Sequence, residues 1–320
     1  MFFFNMKKIL ITGGAGFIGS NLVHELLKDN DNQIYVFDNL STGRKTNLPI
    51  NNPKLMFCEI DLLTDFRDWP VIKDLNHVYH FAANADIRGG ILNREIDLKQ
   101  NLLVTKSVCD YARISKCEHF VFASSAAVYG EPAKFPTSEI EFLKQTSIYG
   151  ASKLACEAFI QAYSEYGDFK SSIFRFVSWI GVGYSHGVIY DFYKKLKNDS
   201  EYLEILGDGS QRKSFLDVSD GVKGIIKLIK HDKTSEIFNL GHYEIMSVKD
   251  LADIVCKSLS IKGIKYKFSG TKRGWIGDSP LVHLDISKAR SFGWEPKVSI
   301  KQGIINTINF LKKDNKYIDK

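Results

Sequence analysis

The sequence predicts an α/β fold, a doubly wound parallel sheet followed by a smaller C-terminal α/β lobe. Three observations carry this. Short apolar runs alternate with amphipathic stretches through the first half of the chain. A glycine-rich turn joins the first apolar run to the first amphipathic stretch. Beyond about Val177 the alternation loosens into turn-rich segments.

Lys7 to Thr12 reads as the first strand, Gly13 to Gly19 as the turn, and Ser20 to Lys28 as a helix with Leu22, Val23, Leu26 and Leu27 on one face. Strands follow at Gln33 to Asp38, Leu55 to Glu59, His77 to Ala82, Phe120 to Ala123 and Ser172 to Phe176. Helices fit at Asn93 to Ile114 and Ile148 to Tyr166. Strands and helices alternating at these lengths imply parallel pairing through helical crossovers. In the last part, Val188 to Lys197, Val218 to Lys230 and Ser247 to Leu259 read as helices, with the turn Gly207-Asp208-Gly209-Ser210 between the first two. Residues 1–177 are expected to form the first domain, to which later segments can return, and 178–320 mainly the second lobe. With no repeat or low-complexity linker, the lobes are expected to form one compact body.

Composition narrows the function classes. The 320 residues suffice for a full core, and 44% hydrophobic with 25% charged residues is ordinary globular composition. No apolar run approaches the ~18 residues that span a bilayer, so no membrane association is expected. The opening Met1-Phe2-Phe3-Phe4-Asn5 is too short for a signal segment; either Met1 is the native start, or Met6 is and the first five residues are an upstream extension. A net charge of +6 suits an anionic ligand. The basic residues are scattered, with no basic arm or aromatic-basic motif, so nucleic acid is not an expected partner. The five cysteines form no C-x-x-C pair, which indicates neither a disulfide framework nor a metal site and suits a reducing cytoplasm.

Thr12-Gly13-Gly14-Ala15-Gly16-Phe17-Ile18-Gly19 lies between a strand and a helix, the context in which a glycine pattern becomes a dinucleotide fingerprint. Gly13 permits the tight turn, Gly16 leaves room for a pyrophosphate, and Gly19 lets helix and strand pack closely. Phe17 and Ile18 open the helix whose N-terminal N–H groups and dipole favour phosphate. Asp38 ends the second strand about twenty residues on, where a carboxylate accepts from the adenine ribose hydroxyls and repels a 2′-phosphate. NAD is therefore expected over NADP, with Arg44 and Lys45 able to offset the repulsion only through a rearranged loop. Asp61-Leu62 after the third strand would border the adenine, or Asp61 is a surface-loop residue. Phe81-Ala82-Ala83 ends the fourth strand with small residues that let a cofactor lie against the backbone, though packing alone also explains them.

Tyr149-Gly150-Ala151-Ser152-Lys153 opens a helix after the Ser124-Ser125 strand end. Residues i and i+4 share a helix face, so Tyr149 and Lys153 project together. A phenol titrates near 10. The nearby ammonium and a positive nicotinamide ring are expected to lower it by about three units, making Tyr149 a base near neutral pH.

With these motifs in place, the chain resembles the extended short-chain dehydrogenases/reductases of the NAD-dependent sugar epimerase/dehydratase family, and most of all the UDP-glucose 4-epimerases. The resemblance covers nearly the whole chain. It rests on Thr12 to Gly19, Asp38-Asn39-Leu40, His80 to Ala83, Asn101, Ser124 to Gly130 and Tyr149 to Lys153. It continues through Gly207 to Arg212, Phe238 to Gly241 and Arg273 to Lys288. It implies a Rossmann domain with NAD as cofactor, Asn39 and Asn101 beside it, and a C-terminal lobe that holds a nucleotide diphosphate-sugar. Ser125 would assist Tyr149 at the sugar hydroxyl, and Lys153 would also hold the nicotinamide ribose. Arg212 and Arg273 would hold the diphosphate through bidentate bonds. Val282 would stand beside the sugar's C2 substituent, where a residue smaller than Tyr admits N-acetyl sugars. A homodimer through the helices at Asn93 to Ile114 and Ile148 to Tyr166 is also implied.

Related 4,6-dehydratases carry an Asp-Glu pair directly after the catalytic Ser or Thr, and decarboxylating relatives a Glu in the same stretch; here Ala126 and Ala127 occupy it. What remains is 4-epimerisation through a transient 4-keto sugar. A 4-dehydrogenase or reductase and a non-catalytic NAD sensor remain the alternatives. Two departures from the epimerase pattern point to an unusual sugar or nucleotide. Ser178 replaces the substrate-facing Asn in Arg175-Phe176-Val177-Ser178, and Asp217 stands where His is frequent.

Overall fold

A computed structural model describes residues 6–275 and 277–314. The five residues that precede Met6 lie outside them.

Ile9, Leu10 and Ile11 of β1 (Lys7–Thr12) are all buried, so this strand is covered on both faces, as a central parallel strand must be. It is followed by α1 (Phe17–Leu26), β2 (Asn32–Asp38), β3 (Leu55–Glu59) and β4 (His77–His80). Two short helices, α2 (Gly89–Leu92) and α3 (Arg94–Asp97), lead through a π-helical turn, Leu98–Leu103, into α4 (Val104–Ile114). Then come β5 (His119–Ser125), a 3₁₀ turn at Ala126–Tyr129, α5 (Ile148–Glu165) and β6 (Lys170–Phe176). The remaining elements are β7 (Ser178–Ile180), α6 (Val188–Asn198), β8 (Tyr202–Ile205), β9 (Arg212–Lys213), β10 (Phe215–Asp217), α7 (Val218–Leu228), β11 (Ser235–Leu240), β12 (Met246–Ser247), α8 (Val248–Ser258), β13 (Lys265–Phe268), β14 (Leu281–Val282), α9 (Ser287–Ser291) and α10 (Ile300–Lys313).

The chain divides into two compact units, and neither is a continuous segment. Unit 1 comprises the chain up to Gly130, Phe142–Arg175 and Ile225–Phe238; unit 2 comprises Glu131–Glu141, Phe176–Gly224 and everything from Asn239.

Unit 1 is built on a seven-stranded sheet of order β11-β6-β5-β4-β1-β2-β3. The β1–β2, β1–β4, β2–β3 and β4–β5 pairs are parallel. Strand order runs outward in both directions from β1 and β4, so the sheet reverses between them. The crevice at their C-terminal ends is where doubly wound sheets take ligands. On one face Leu10, Phe37, Val78 and Phe120 meet Val104, Val108 and Tyr111 of α4 and Cys156 and Ile160 of α5 in one apolar cluster. Four of the five cysteines are buried and Cys58 is half-buried, all as free thiols.

Unit 2 holds three small sheets: β10-β7, β12-β9-β14 and β13-β8. Trp179 packs flat on Gly221, where an added Cβ would lie 2.3 Å from the ring. Asn239 ties its segments by donating to the carbonyls of Thr137 (2.9 Å) and Asp285 (3.0 Å). Among the described residues no helix is long and apolar enough to cross a membrane.

Candidate active site

The glycine turn sits at the reversal point. Gly13 has φ +68°, and a Cβ there would meet the Ala82 backbone N at 2.6 Å, so the turn lies directly on the end of β4. Gly19 is as tightly held, with a hypothetical Cβ 2.3 Å from the Gly13 carbonyl O. Gly16 differs. Its backbone is extended, and a Cβ would meet only the Gly13 O, at 3.2 Å. It caps α1 with no side-chain hydrogen bond, whereas Ser147, Ser247 and Ser299 cap α5, α8 and α10 through their hydroxyls. A helix start without a side-chain cap, at the reversal point, is chemically suited to a pyrophosphate. Phe17 is buried under the turn and Ile18 is half-buried.

Asp38 is buried. Its Oδ2 accepts from the Ala15 N–H (2.9 Å) and its Oδ1 from the Leu40 N–H (2.8 Å). Burial raises its carboxyl above the usual range, against both backbone bonds. Each oxygen keeps further lone-pair capacity, which suits a pair of ribose hydroxyls. These residues therefore fit a dinucleotide. Asn39 is exposed and accepts from the Ser41 N–H. Asp61 is exposed and forms its own turn through the Leu63 N–H, while Leu62 faces the apolar cluster. Phe81, Ala82 and Ala83 are half-buried at the end of β4. Asn101 lies in the π-helical turn with its amide engaged. Its Oδ1 accepts from the Asn84 N–H (2.8 Å), and its Nδ2 donates to Ser152 Oγ (2.9 Å) and Asp97 Oδ1 (3.2 Å). It thereby joins α3 to α5 one residue before Lys153.

Ser125, Tyr149 and Lys153 come together. Ser125 ends β5, accepts from the Ala127 N–H and hydrogen-bonds the Tyr149 side chain. Lys153 is buried one turn along α5. Its Nζ donates to the Ala123 carbonyl (2.9 Å) and lies 4.8 Å from the Phe122 ring centroid and 6.0 Å from that of Tyr149. Because the ammonium is turned toward β5, it does not lower the phenol. Burial pushes Tyr149 up to about 12, against the Ser125 hydrogen bond. Burial likewise lowers Lys153 to about 8. Within the protein alone Tyr149 is thus a neutral phenol, and a further positive charge is required to make it a base at neutral pH. Ala126 and Ala127 occupy the 3₁₀ turn beside Ser125 and bring no acid or base to it.

In unit 2, Ser178 is exposed at the start of β7, and Asp217 is buried, accepting from Ser219. Arg212 is exposed on β9, while the next residue, Lys213, turns inward and ion-pairs with the buried Asp278. Arg273 is exposed and pairs with Glu131, also donating to the Asp278 carbonyl. Val282 is half-buried on β14, in register with Lys213. Lys213 was not singled out in the sequence, where a two-residue strand leaves no alternation to read. Three groups in unit 1 were given no role from the sequence. These are the buried Glu157–Arg175 pair, buried Asp97, and His80, which bridges Thr12 (2.7 Å) and Thr105 (2.9 Å). Among the described residues no three His, Cys, Asp or Glu side chains are placed to hold a metal ion.

The model of the NAD dependent epimerase/dehydratase family matches residues 9–241. The "Putative UDP-glucose 4-epimerase" of Methanocaldococcus jannaschii is 35% identical, over 96% of this chain and 99% of its own. UDP-glucuronic acid decarboxylase 4 of Arabidopsis thaliana is 30% identical, over 93% of this chain and 67% of its own. Among solved structures, the UDP-glucuronic acid 4-epimerase of Bacillus cereus, in complex with UDP-glucuronic acid and NAD, superposes with a TM-score of 0.87. It is 26% identical, over 96% of this chain and 99% of its own. A reversal-point glycine turn, a buried carboxylate ending β2 and a Ser-Tyr-Lys cluster thus agree with the match, and the chain belongs to the NAD dependent epimerase/dehydratase family.

Proposed function

We propose that this protein is an NAD-dependent 4-epimerase of a nucleotide diphosphate-sugar, of UDP-hexose or UDP-N-acetylhexosamine type. The observation that carries the reading is the Ser125–Tyr149 hydrogen bond, with Lys153 buried one turn along and only Ala126 and Ala127 beside it. When bound, NAD would supply a positive ring, an acceptor for the C4 hydride and then the donor that returns it to the other face of the 4-keto sugar. Tyr149 takes the proton of the C4 hydroxyl, and Ser125 holds that hydroxyl against the phenol. Lys153, its Nζ turned to the Ala123 carbonyl, would hold the nicotinamide ribose, and the positive ring would favour the phenolate. Tyr149 then returns the proton once the 4-keto sugar has presented its other face. Elimination of water needs a further acid and base, and decarboxylation in relatives uses a Glu; the turn after Ser125 offers neither. The reading therefore favours epimerisation over the dehydratase and decarboxylase chemistries of the family.

For cofactor binding the reading uses Gly13, Gly16, Phe17, Ile18, Gly19, Asp38, Asn39, Asp61, Leu62, Phe81 to Ala83, Asn101, Tyr149 and Lys153. For the sugar nucleotide it uses Ser125, Ser178, Arg212, Arg273 and Val282, to which half-buried Lys213 is a natural addition. Exposed Leu103 of the π turn and Phe159 and Tyr166 at α5 support a homodimer through these helices, and a cytoplasmic location suits the free thiols. Light scattering at micromolar concentration should give a dimer, and a monomer there rejects that pairing.

The test is Tyr149→Phe, assayed by NMR on a panel of nucleotide sugars. The variant should fold, retain NAD and lose at least about a hundredfold in turnover, the usual worth of general acid–base help. Near-normal turnover would remove Tyr149 from the mechanism. Net accumulation of NADH by the wild type would instead favour a 4-dehydrogenase.

A further inference from the structure

Glu157 and Arg175 form an ion pair inside unit 1 that touches none of the proposed chemistry. Both are almost completely buried, at 1% and 2% exposure. The pairing is bidentate: Arg175 Nη2 donates to Glu157 Oε2 (2.7 Å) and Nε to Oε1 (3.0 Å). Ser124 Oγ donates to the same Oε1. Arg175 Nη1 donates to the Tyr129 hydroxyl (2.9 Å), and the guanidinium lies 4.8 Å from that ring centroid.

A buried ion pair rarely adds net stability over apolar residues of the same volume, because desolvation offsets the attraction. This pair is therefore poorly explained by stability alone. Its attachments are specific. Glu157 follows Tyr149 and Lys153 at i+8 and i+4 on α5, so the three share a face. Ser124 immediately precedes Ser125. Tyr129 closes the 3₁₀ turn that begins after Ser125. Each segment that bears a catalytic side chain is thus tied, from behind, to one carboxylate or one guanidinium.

We infer that Glu157 and Arg175 are positioning residues, a charge-balanced brace that holds Ser125 against Tyr149 and sets the field in which Lys153 keeps its proton. The inference rests on the epimerase reading for what the brace positions, but the brace itself can be read without substrate. The charged and titratable groups around Lys153 are Asp97 from α3, His80 from β4, and Tyr149, Cys156 and Glu157 on its own helix. Against burial, Cys156, Asp97 and, more weakly, Glu157 favour the ammonium. The guanidinium behind Glu157 tempers that effect. Removing either charge alone should move Lys153 in opposite directions. Residues four apart on a helix stand roughly 6 Å apart, and a unit charge at that separation, at an effective dielectric near 20, is worth on the order of one to two pH units.

The experiment is a carbon-13 NMR titration of the lysine ε-carbons in the full chain, with Lys153 assigned by the loss of its signal in Lys153→Arg. It is run on wild type, Glu157→Gln, Arg175→Met and the double variant. Lys153 should titrate about a unit lower in Glu157→Gln, about a unit higher in Arg175→Met, and near wild type in the double variant. In pH profiles of turnover both limbs should move the same way, and the double variant should lose at least about tenfold in kcat with KM little changed. Ser124→Ala keeps the pair but unties it from β5, and should lower kcat without moving the profile. Superimposable Lys153 titrations in the two single variants overturn the inference. Should the single variants not fold, the double variant carries no unpaired buried charge and decides the matter: wild-type kcat in it overturns the positioning role. A wild type that epimerises none of the sugars rejects the proposed function, while the lysine titration, which needs no substrate, still tests the brace.

Discussion

Gly16 and Gly19 stand three residues apart in the same turn, yet the structure assigns them different burdens. A Cβ at Gly19 would lie 2.3 Å from the Gly13 carbonyl O and 2.7 Å from the Gly14 Cα. Both are backbone atoms that cannot rotate away. Restoring an ordinary contact requires the start of α1 to retreat by about 1 Å. Such overpacking costs roughly 1–3 kcal/mol, offset by the ~1 kcal/mol that Ala gains over Gly within a helix. Gly19→Ala should therefore lower Tm by a few degrees. The retreat should also pull the α1 N–H groups off the pyrophosphate. Losing one charge-assisted bond, at about 1.5–3 kcal/mol, weakens NAD binding roughly 10- to 100-fold. A Cβ at Gly16 meets the chain only at 3.2 Å, on an extended backbone that alanine adopts freely. Gly16→Ala should leave Tm within about a degree of wild type and yet weaken NAD comparably, because its methyl group obstructs only the ligand. Calorimetric titration with NAD and thermal melts by circular dichroism, on the apo protein, separate the two effects. If Gly16→Ala binds NAD within twofold of wild type, the pyrophosphate does not lie over this turn and the cofactor assignment fails.

Other expectations follow from named side chains. Asp38 should make NAD bind more tightly than NADP, and Asp38→Ser should erase most of that preference; equal affinities in the wild type count against the ribose assignment. His77 and His119 are neighbours in the sheet, with ring centroids 6.0 Å apart, and burial lowers them to about 4 and about 3. Because both folded values lie below the unfolded one, the unfolded chain takes up protons first as pH falls. The stability conferred by neutral histidines is therefore whole above about 6.5 and is lost progressively toward 3. Between pH 7 and 5 each should contribute roughly 2 kcal/mol to the fall in unfolding free energy, and His77→Gln should reduce that fall in urea titrations; an unchanged pH dependence would refute it. Val282→Tyr should depress the specificity constant for UDP-N-acetylglucosamine relative to UDP-glucose by at least about tenfold, and an unchanged ratio means that Val282 does not gate the pocket.

Much of this arrangement was legible in the residues. β1, β3 and α5 fall within a residue of where the sequence puts them, the two strands as short apolar runs bounded by turn residues and α5 through its long 3.6-residue period. The helix read from Asn93 to Ile114 is present as α3, a π turn and α4; a change of hydrogen-bond register leaves no mark on periodicity. The two-residue strands β9, β12 and β14 were not legible, since their pairing is set by distant partners rather than local pattern. At the site, spacing put Tyr149 and Lys153 on one helix face, and the resemblance named Ser125 beside them. The expected lowering of the phenol was not met within the protein, because spacing cannot show that Lys153 turns toward Ala123. Glu157 and Arg175 were hidden for a related reason: nothing in one helix and one strand announces that their charges meet.

The winding of the chain through its two units limits how the protein can be re-engineered. Six alternating segments mean five passages from one unit to the other. A cut after Val177 would leave the seven-stranded sheet without β11, exposing the edge of β6 as a template for aggregation. Exchanging unit 2 with a relative to change sugar preference therefore cannot be done at a single splice point. Grafting has to proceed segment by segment, or be confined to stretches that enter and leave unit 2 without returning, of which the run from Asn239 to the C-terminus is the longest.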